Sequence, residues 1–583
     1  MNPASDVGGT QMNADLVLVN GNVLTMAGDP APCEAIAVRN GLVAKVGTSS
    51  EIRSCIGPRT EVVDLRGRTV IPGVNDAHIH PLQLGTNQPP LTLDLSRSAV
   101  RSIADIREAL GAAAQAKRPG EWIRGAGWDQ GYLSDGRYPH RRDIDDLTPD
   151  NPVAFREWSG HALWVNTKAL ELAGIDRHTE PPLGGVIVKD GAGEPTGLLL
   201  EGAARLVDAV VPEFTEDEQR RALTTAIALM HRNGITSITD AGTDAENIAR
   251  YAALQASGAI RQRVTAMLLA GGARDLREQL EPFRGGDADP RWLNVSQVKI
   301  YGDGVPTQAR TAWVSEPYVG GGTGAMTTPG DTPEEQLTTL QEWVMTAHEL
   351  GFQVGTHATG DRTVNAVIDA YQAASATFGV NGLRHYVIHG DLTREDDLRR
   401  IAASGFGVSF NPQIKRSLSH QLVDVLGRER TDYQWPFRTA MELGVPVGSA
   451  SDAPVVGLPD FREGLAAMVT RASLATGEVF GADQVIGLGP ALASYTSAGA
   501  WQDGAEQWKG TLAEGMAADL AVLGDDLMRM PADAIADVPV ELTCVGGEVV
   551  YEAESPDRTD SADPASAAAA GEHGYLESGC CHD

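Results

Sequence analysis

The chain of 583 residues carries 78 Asp and Glu against 47 Lys and Arg, a formal charge of −31. This acidity argues against nucleic acid as a partner, because binding there depends on basic side chains neutralising phosphates. No apolar run approaches the roughly 18 residues that a membrane span needs, and the five scattered cysteines Cys33, Cys55, Cys544, Cys580 and Cys581 argue against a disulfide framework.

With no secretory apolar segment before Ala14, residues 1–13 are expected to be a flexible N-terminus and the protein to be cytoplasmic. Residues 14–68 hold ADLVLVNGNVLTM, EAIAVRNGLVAKVG and EVVDL, short β-rich runs with Asn-Gly pairs that favour hairpins. The same texture returns in residues 511–553, with ADLAVLGDD and VELTCVGGEVVYE, so both ends are assigned to one small β-sandwich.

Residues 69–86 open with TVIPGVNDAHIH, an apolar run that ends in His78 and His80. Residues i and i+2 share a face of a strand, so the two imidazoles can aim at one point, as a metal ion requires. A lone His-x-His is more often a pair of hydrogen-bonded structural histidines, and other ligands must decide the matter.

Residues 87–225 form an insertion far longer than the 2 to 6 residues usual between a strand and its helix. It is rich in tryptophan, with Trp122, Trp128, Trp158 and Trp164. Core packing is the expectation for three of these, and Trp128 is divided evenly between core and substrate contact. His161 in SGHALW is a second candidate substrate contact, against an ordinary structural role.

Residues 226–510 alternate apolar runs with capped helical stretches. Thr215 with Glu218 forms a capping box for a helix that stops at Gly234. Thr332 and Pro333 open a helix closed by Gly351, and Thr393 opens one closed by Gly405. Eight strands are predicted, near Val70 to Ala77, Ile235 to Ala241, Gln262 to Leu269, Val295 to Tyr301, Phe352 to His357, Arg384 to His389, Phe406 to Phe410 and Val445 to Ser451. Eight βα units close into a (β/α)8 barrel of the TIM type, with its active site at the strand C-termini. Lys299, His357, His389 and Asp452 all stand at or near such ends. Residues 554–583, rich in Ala, Ser, Asp and Pro, are expected to be disordered, and Cys580, Cys581 and His582 are assigned no role.

Lysine is scarce, with seven in the chain, and one of them, Lys299, sits inside the apolar run VSQVKIYGDG. An unpaired buried ammonium costs several kcal/mol. Lys299 therefore either meets a carboxylate, Asp303 or Asp240, or is not cationic. A lysine converted by carbon dioxide to a carbamate is anionic and can bridge two metals.

The order His-x-His, Lys, His, His, Asp after strands one, four, five, six and eight resembles the amidohydrolase superfamily, and more narrowly its YtcJ-like branch, amidohydrolase family 3, which includes N-substituted formamide deformylases. The matching words are ADLVLVNGNVLTM, VIPGVNDAHIH, GWDQ, SGHALWVNTKAL, PTGLLLE, KIYGDGV, HATGDRTVN, SDAPV and GTLAEGMAADLAVL, spread over residues 14–552. One departure is RHYVIHGD, where the family commonly has Arg-x-Glu-His. His389 is preferred to His385 as ligand because it ends the strand, about 13 Å further along at about 3.3 Å per residue.

The resemblance implies one zinc ion on His78, His80 and Asp452 and a second on His357 and His389, bridged by carboxylated Lys299. A hydroxide between them would be the nucleophile and Asp452 the general base, then acid. The implied activity is hydrolysis of a non-peptide carbon–nitrogen bond in an amide, formamide or cyclic amide, on a small-molecule substrate. The sequence leaves monomer and oligomer open, a homodimer being common among large cytoplasmic enzymes. Two alternatives stand beside it. A mononuclear deaminase of an amino-heterocycle usually carries a glutamate soon after the fifth-strand histidine, absent from HATGDR, and a non-catalytic regulatory or assembly protein need not keep its ligands.

Overall fold

The computed structural model describes residues 13–28, 33–158, 162–182, 185–271, 275–286 and 289–554. Eight parallel strands form one sheet in chain order. They are β1 Val74–Ile79, β2 Ile235–Thr243, β3 Arg263–Leu269, β4 Leu293–Tyr301, β5 Gln353–Ala358, β6 Tyr386–His389, β7 Gly407–Phe410 and β8 Val447–Ser449. Each pairs in parallel with its neighbour from β1 round to β8. The seam between β8 and β1 is closed just beyond β8, where the Asp452 amide donates to the His78 carbonyl at 2.9 Å and the His80 amide to the Ala453 carbonyl at 3.0 Å.

All eight predicted strands are present, with one shift in the first. Residues Thr69–Pro72 form a separate strand that pairs antiparallel with Leu520–Leu523 of the C-terminal segment. The chain passes from the sandwich into the barrel at Gly73, where a Cβ would fall 2.2 Å from the Thr236 hydroxyl. The segment 69–86 therefore belongs to two layers, and its barrel part starts at Val74.

The helices form as their apolar spacing dictates. Asp361–Phe378 buries Val364, Val367, Ile368, Tyr371 and Ala374, positions three or four apart that make one stripe toward the sheet. The capping boxes at Thr215 and Thr332 are present. Thr393 does not cap: the helix Glu395–Ser404 starts after Arg394, and the Thr393 hydroxyl donates to the Gly390 carbonyl at 2.8 Å. Gly405 ends that helix at φ +70°, left-handed as expected.

Both chain ends build the sandwich. A four-stranded sheet from residues 16–64 faces a five-stranded sheet completed by Leu520–Leu523, Val540–Val545 and Glu548–Glu552. Leu18, Ile36, Val70, Leu520 and Val522 fill the space between them.

The insertion carries its own six-stranded sheet, from Leu93–Asp94 to Pro195–Leu200. It ends sooner than residue 225, because Glu216–Arg232 is a barrel helix that leads into β2. Gly85 of Pro81–Thr86 sits so close to that helix that a Cβ would meet the Ala222 carbonyl at 1.9 Å. Among the described residues no helix is long and apolar enough to cross a membrane. The expectations for residues 1–12 and for the tail beyond Glu554, with Cys580, Cys581 and His582, lie outside the described residues.

Candidate metal centre

Strand ends bring six predicted side chains to one face of the barrel. His78 lies in β1, and His80 follows one residue beyond its end. Nε2 of each stands 3.2 Å from Asp452 Oδ1. The His78 ring is 4.9 Å from that of His389, which is 4.4 Å from that of His357. Donor atoms of His78, His389 and Asp452 lie within 4.8 Å of one another. Lys299 is fully buried in β4, its Nζ 3.5 Å from His78 Nε2 and 4.7 Å from the centre of the Tyr301 ring.

Two of these residues are held in a conformation that L side chains seldom adopt. His389 has φ +70° and Asp452 φ +58°. Such backbone costs on the order of 1–3 kcal/mol per residue and persists where the surroundings impose it, often at functional sites.

The partners of the rings decide which nitrogen faces inward. His357 Nε2 donates to the Gly304 carbonyl at 2.8 Å, which leaves Nδ1 for the centre. His389 Nδ1 meets the Asn411 side-chain oxygen at 2.8 Å, which leaves Nε2. Such outer partners fix tautomer and ring orientation in metal sites. His78 Nδ1 is buried with no hydrogen-bond partner among the described residues.

Burial governs the charges. It lowers the His78 imidazole to about 3 and that of His357 to about 4, with the Lys299 charge adding to both, so each ring is neutral near pH 7. Burial lowers Lys299 to about 7, against the pull of Asp452. For Asp452 itself burial raises the carboxyl, but hydrogen bonds from His78 and His80 outweigh it and hold the group well below the usual range.

The donors fit a divalent ion of the zinc type, which takes imidazole nitrogen and carboxylate oxygen. In a tetrahedral site with bonds of about 2.0–2.1 Å, ligand atoms stand about 3.3 Å apart. The 3.2 Å spacings from Asp452 Oδ1 to His78 and His80 match that separation.

The remaining expectations fare differently. Among the described residues Lys299 makes no ion pair with Asp303 or Asp240, and its nearby carboxylate is Asp452. His385 lies at the far end of β6, where its Nε2 meets His348 Nδ1 at 2.8 Å and its Nδ1 accepts the Val354 amide at 2.9 Å. Trp128 is corrected as a substrate contact. It is wholly buried in the insertion, its indole N–H on the Phe155 carbonyl at 2.8 Å and its ring against Trp164. Trp158, expected in the core, is 45% exposed with the Arg97 guanidinium 5.8 Å from its ring centre. His161 lies outside the described residues.

Sequence reasoning passed over Asn411 and Asp76. Asp76 is buried beside the seam, where Oδ1 accepts the amides of Ser451 at 3.0 Å and His78 at 3.3 Å. Its signal was a carboxylate two residues before His78 inside an apolar run.

A cavity of about 730 Å³ opens beside His80, lined among others by Leu82, Phe214, Leu269, Asp240, Asp244 and Glu246. Among the described residues its one lining cation, Arg250, is held by Glu216 at 2.8 Å. A larger cavity, about 860 Å³, lies on the outer helices around Trp313 and Arg400.

A parallel eight-stranded barrel with histidines, a lysine and an aspartate gathered at its strand C-termini defines a metal-dependent hydrolase of the barrel class. The chain belongs to the amidohydrolase family, whose model matches residues 61–551. It is 29% identical to YtcJ of Bacillus subtilis (strain 168) over 544 residues, 91% of this chain and 98% of that protein. It is 28% identical to the N-substituted formamide deformylase of Arthrobacter pascens over 555 residues, 93% of this chain and 99% of that one. Its fold matches an uncharacterized metal-dependent hydrolase from Pyrococcus furiosus with a TM-score of 0.70 at 25% identity, over 88% of this chain and 99% of the other.

Proposed function

We propose that the protein hydrolyses a non-peptide carbon–nitrogen bond, in an amide, formamide or cyclic amide, using two zinc ions held by His78, His80, His357, His389 and Asp452 and bridged by carboxylated Lys299. The observation that carries this reading is the convergence of those side chains at the strand C-termini, with buried Lys299 beside His78 and, among the described residues, Asp452 as the carboxylate that acts on it.

The rest follows from what each group can do. Near pH 7 a substantial share of Lys299 is free amine, the form that adds to carbon dioxide. A nitrogen–carbon bond forms, one proton leaves, and the product is a carbamate anion. Neutral imidazoles offer lone pairs. A divalent ion on such a set polarises a carbonyl and lowers the pKa of water from about 15.7 to about 7. Asp452, held ionised, takes the proton of the attacking water and hands it to the leaving nitrogen, as base and then acid. The cavity beside His80 receives part of the substrate. Its apolar walls and the carboxylates of Asp240, Asp244 and Glu246 favour a neutral or cationic organic group over an anionic one.

Similarity to a protein named N-substituted formamide deformylase supports the choice of bond. The test is elemental analysis of the purified protein together with amine release from N-acyl and N-formyl arylamines and benzylamines. About two zinc equivalents with activity on a member of the panel is the expected result. One equivalent with ammonia released from amino-heterocycles, or no metal and no activity, overturns it.

A further inference from the structure

The run Gly302-Asp303-Gly304 follows β4 directly, and none of its three residues holds a place in the mechanism above. Asp303 is 2% exposed, and both of its carboxylate oxygens are engaged. Oδ1 accepts the Thr359 amide at 3.0 Å, stands 3.3 Å from the Thr359 hydroxyl oxygen, and lies 3.8 Å from His357 Nε2. Oδ2 accepts the amides of Gly360 at 2.9 Å and Trp313 at 3.0 Å and the Thr363 hydroxyl at 2.8 Å. Among the described residues no lysine or arginine pairs with it. One carboxylate thus ties together the end of β4, the loop through Trp313 and the first turn of Asp361–Phe378.

What it holds in place is the next residue. The Gly304 carbonyl accepts His357 Nε2 at 2.8 Å and the Thr359 hydroxyl at 2.7 Å. A carbonyl has no hydrogen to give, so its position obliges His357 to carry its proton on Nε2 and to present the Nδ1 lone pair. The fit is close, because a Cβ on Gly304 would stand 2.1 Å from the Thr311 hydroxyl.

We propose that Asp303 is a positioning residue, which fixes the Gly304 carbonyl and through it the tautomer and ring orientation of His357. The inference rests on the reading of His357 as a metal ligand. It predicts a specific defect in the ion that His357 serves, where a mere loop staple would predict none.

The test is zinc affinity by chelator competition on the full-length protein. Asp303→Asn puts an NH₂ group where a carboxylate oxygen now accepts, on whichever side the amide settles. One zinc equivalent is expected to bind 10- to 100-fold more weakly, the usual cost of losing a partner behind a ligand, while the other equivalent is unchanged. Thr363→Val, which removes a single donor, should shift the same equivalent in the same direction by less. Combining Asp303→Asn with His357→Asn should cost no more than His357→Asn alone.

Unchanged affinity in Asp303→Asn, or a further loss in the double variant, overturns the proposal. Should Asp303→Asn fail to fold, the cobalt(II) absorption spectrum of Thr363→Val decides, a spectrum identical to wild type counting against it. A wild-type protein that binds no zinc removes the metal reading itself, a result separate from a failure of Asp303 alone.

Discussion

The amide of Asp452 donates to the carbonyl of His78 at 2.9 Å, while Oδ1 of the same aspartate stands 3.2 Å from the His78 imidazole. Barrel closure and the candidate centre therefore share the same pair of residues. β8 has three residues, and its chain reaches β1 chiefly through the turn that carries the carboxylate. The left-handed φ of Asp452 lets backbone and side chain contact the same histidine at once.

From this comes a separation of fold from chemistry. Asp452→Asn keeps the backbone bond and loses the base, so the variant should fold as wild type does while kcat falls by about 10²- to 10⁴-fold, the usual value of general acid–base catalysis. Circular dichroism and steady-state kinetics on the same preparation check this. A kcat within a few-fold of wild type would remove Asp452 from the proton path.

Lys299 carries the two-metal part of the reading. Lys299→Ala should lower zinc content from about two equivalents to one or fewer and abolish most activity, and a short carboxylic acid in the buffer should restore part of both by occupying the vacated space. Two equivalents and full activity in the variant would show that nothing bridges through this position. Loss of activity with both metals retained would leave it a substrate contact.

Much of this was legible in the chain, for a physical reason. Strands and helices of a barrel alternate with such regularity that each ligand could be placed by its position after an apolar run, as with Lys299 in VSQVKIYGDG and His389 before Gly390. The lysine was conspicuous because burial of an ammonium is costly, and β4 does bury it completely. What stayed hidden depends on contacts distant in sequence. Trp128 could not be told from a substrate contact until the sheet that encloses it was known. Gly73 divides one apolar run between two sheets because Leu520–Leu523, some 450 residues on, pairs with its first half. Asn411 meets a histidine of another strand, so no local pattern marks it, and Asp303, which the sequence offered as a partner for Lys299, instead lies beside His357 of the next strand.

The cavity beside His80 makes a claim about substrate charge. Asp240, Asp244 and Glu246 line it, and Glu216 neutralises Arg250. Among amides matched in size, one with a remote carboxylate should show kcat/KM about tenfold lower than its neutral counterpart, on the order of 1.4 kcal/mol, comparable to a like-charge contact of about 1 kcal/mol at 4 Å in water. Added salt should narrow the gap, since such charges are screened beyond about 10 Å at 0.1 M. Equal rates for the two would place the leaving or acyl group elsewhere.

His385 offers a test that involves no metal. Its Nδ1 accepts the Val354 amide, so the proton sits on Nε2 and is given to His348 Nδ1, while His348 Nε2 donates to the Gly379 carbonyl at 2.7 Å. Every nitrogen of the buried pair is satisfied only when both rings are neutral. Burial, the larger cause, lowers His385 to about 3 from an ordinary 6.5, and a proton on His348 would lower it further. Between those values the unfolded chain binds a proton there that the native protein refuses, so stability falls as pH is lowered through the window from about 6.5 toward about 3. His385→Gln removes this proton linkage. The variant should be less stable than wild type at pH 8, having lost a fitted ring, yet lose less of its Tm between pH 8 and pH 5. Thermal melts at the two pH values, on metal-free samples so that release of zinc does not add to the slope, decide it: equal losses in the two proteins would mean that His385 is already protonated in the folded state or that its linkage is offset by its neighbours.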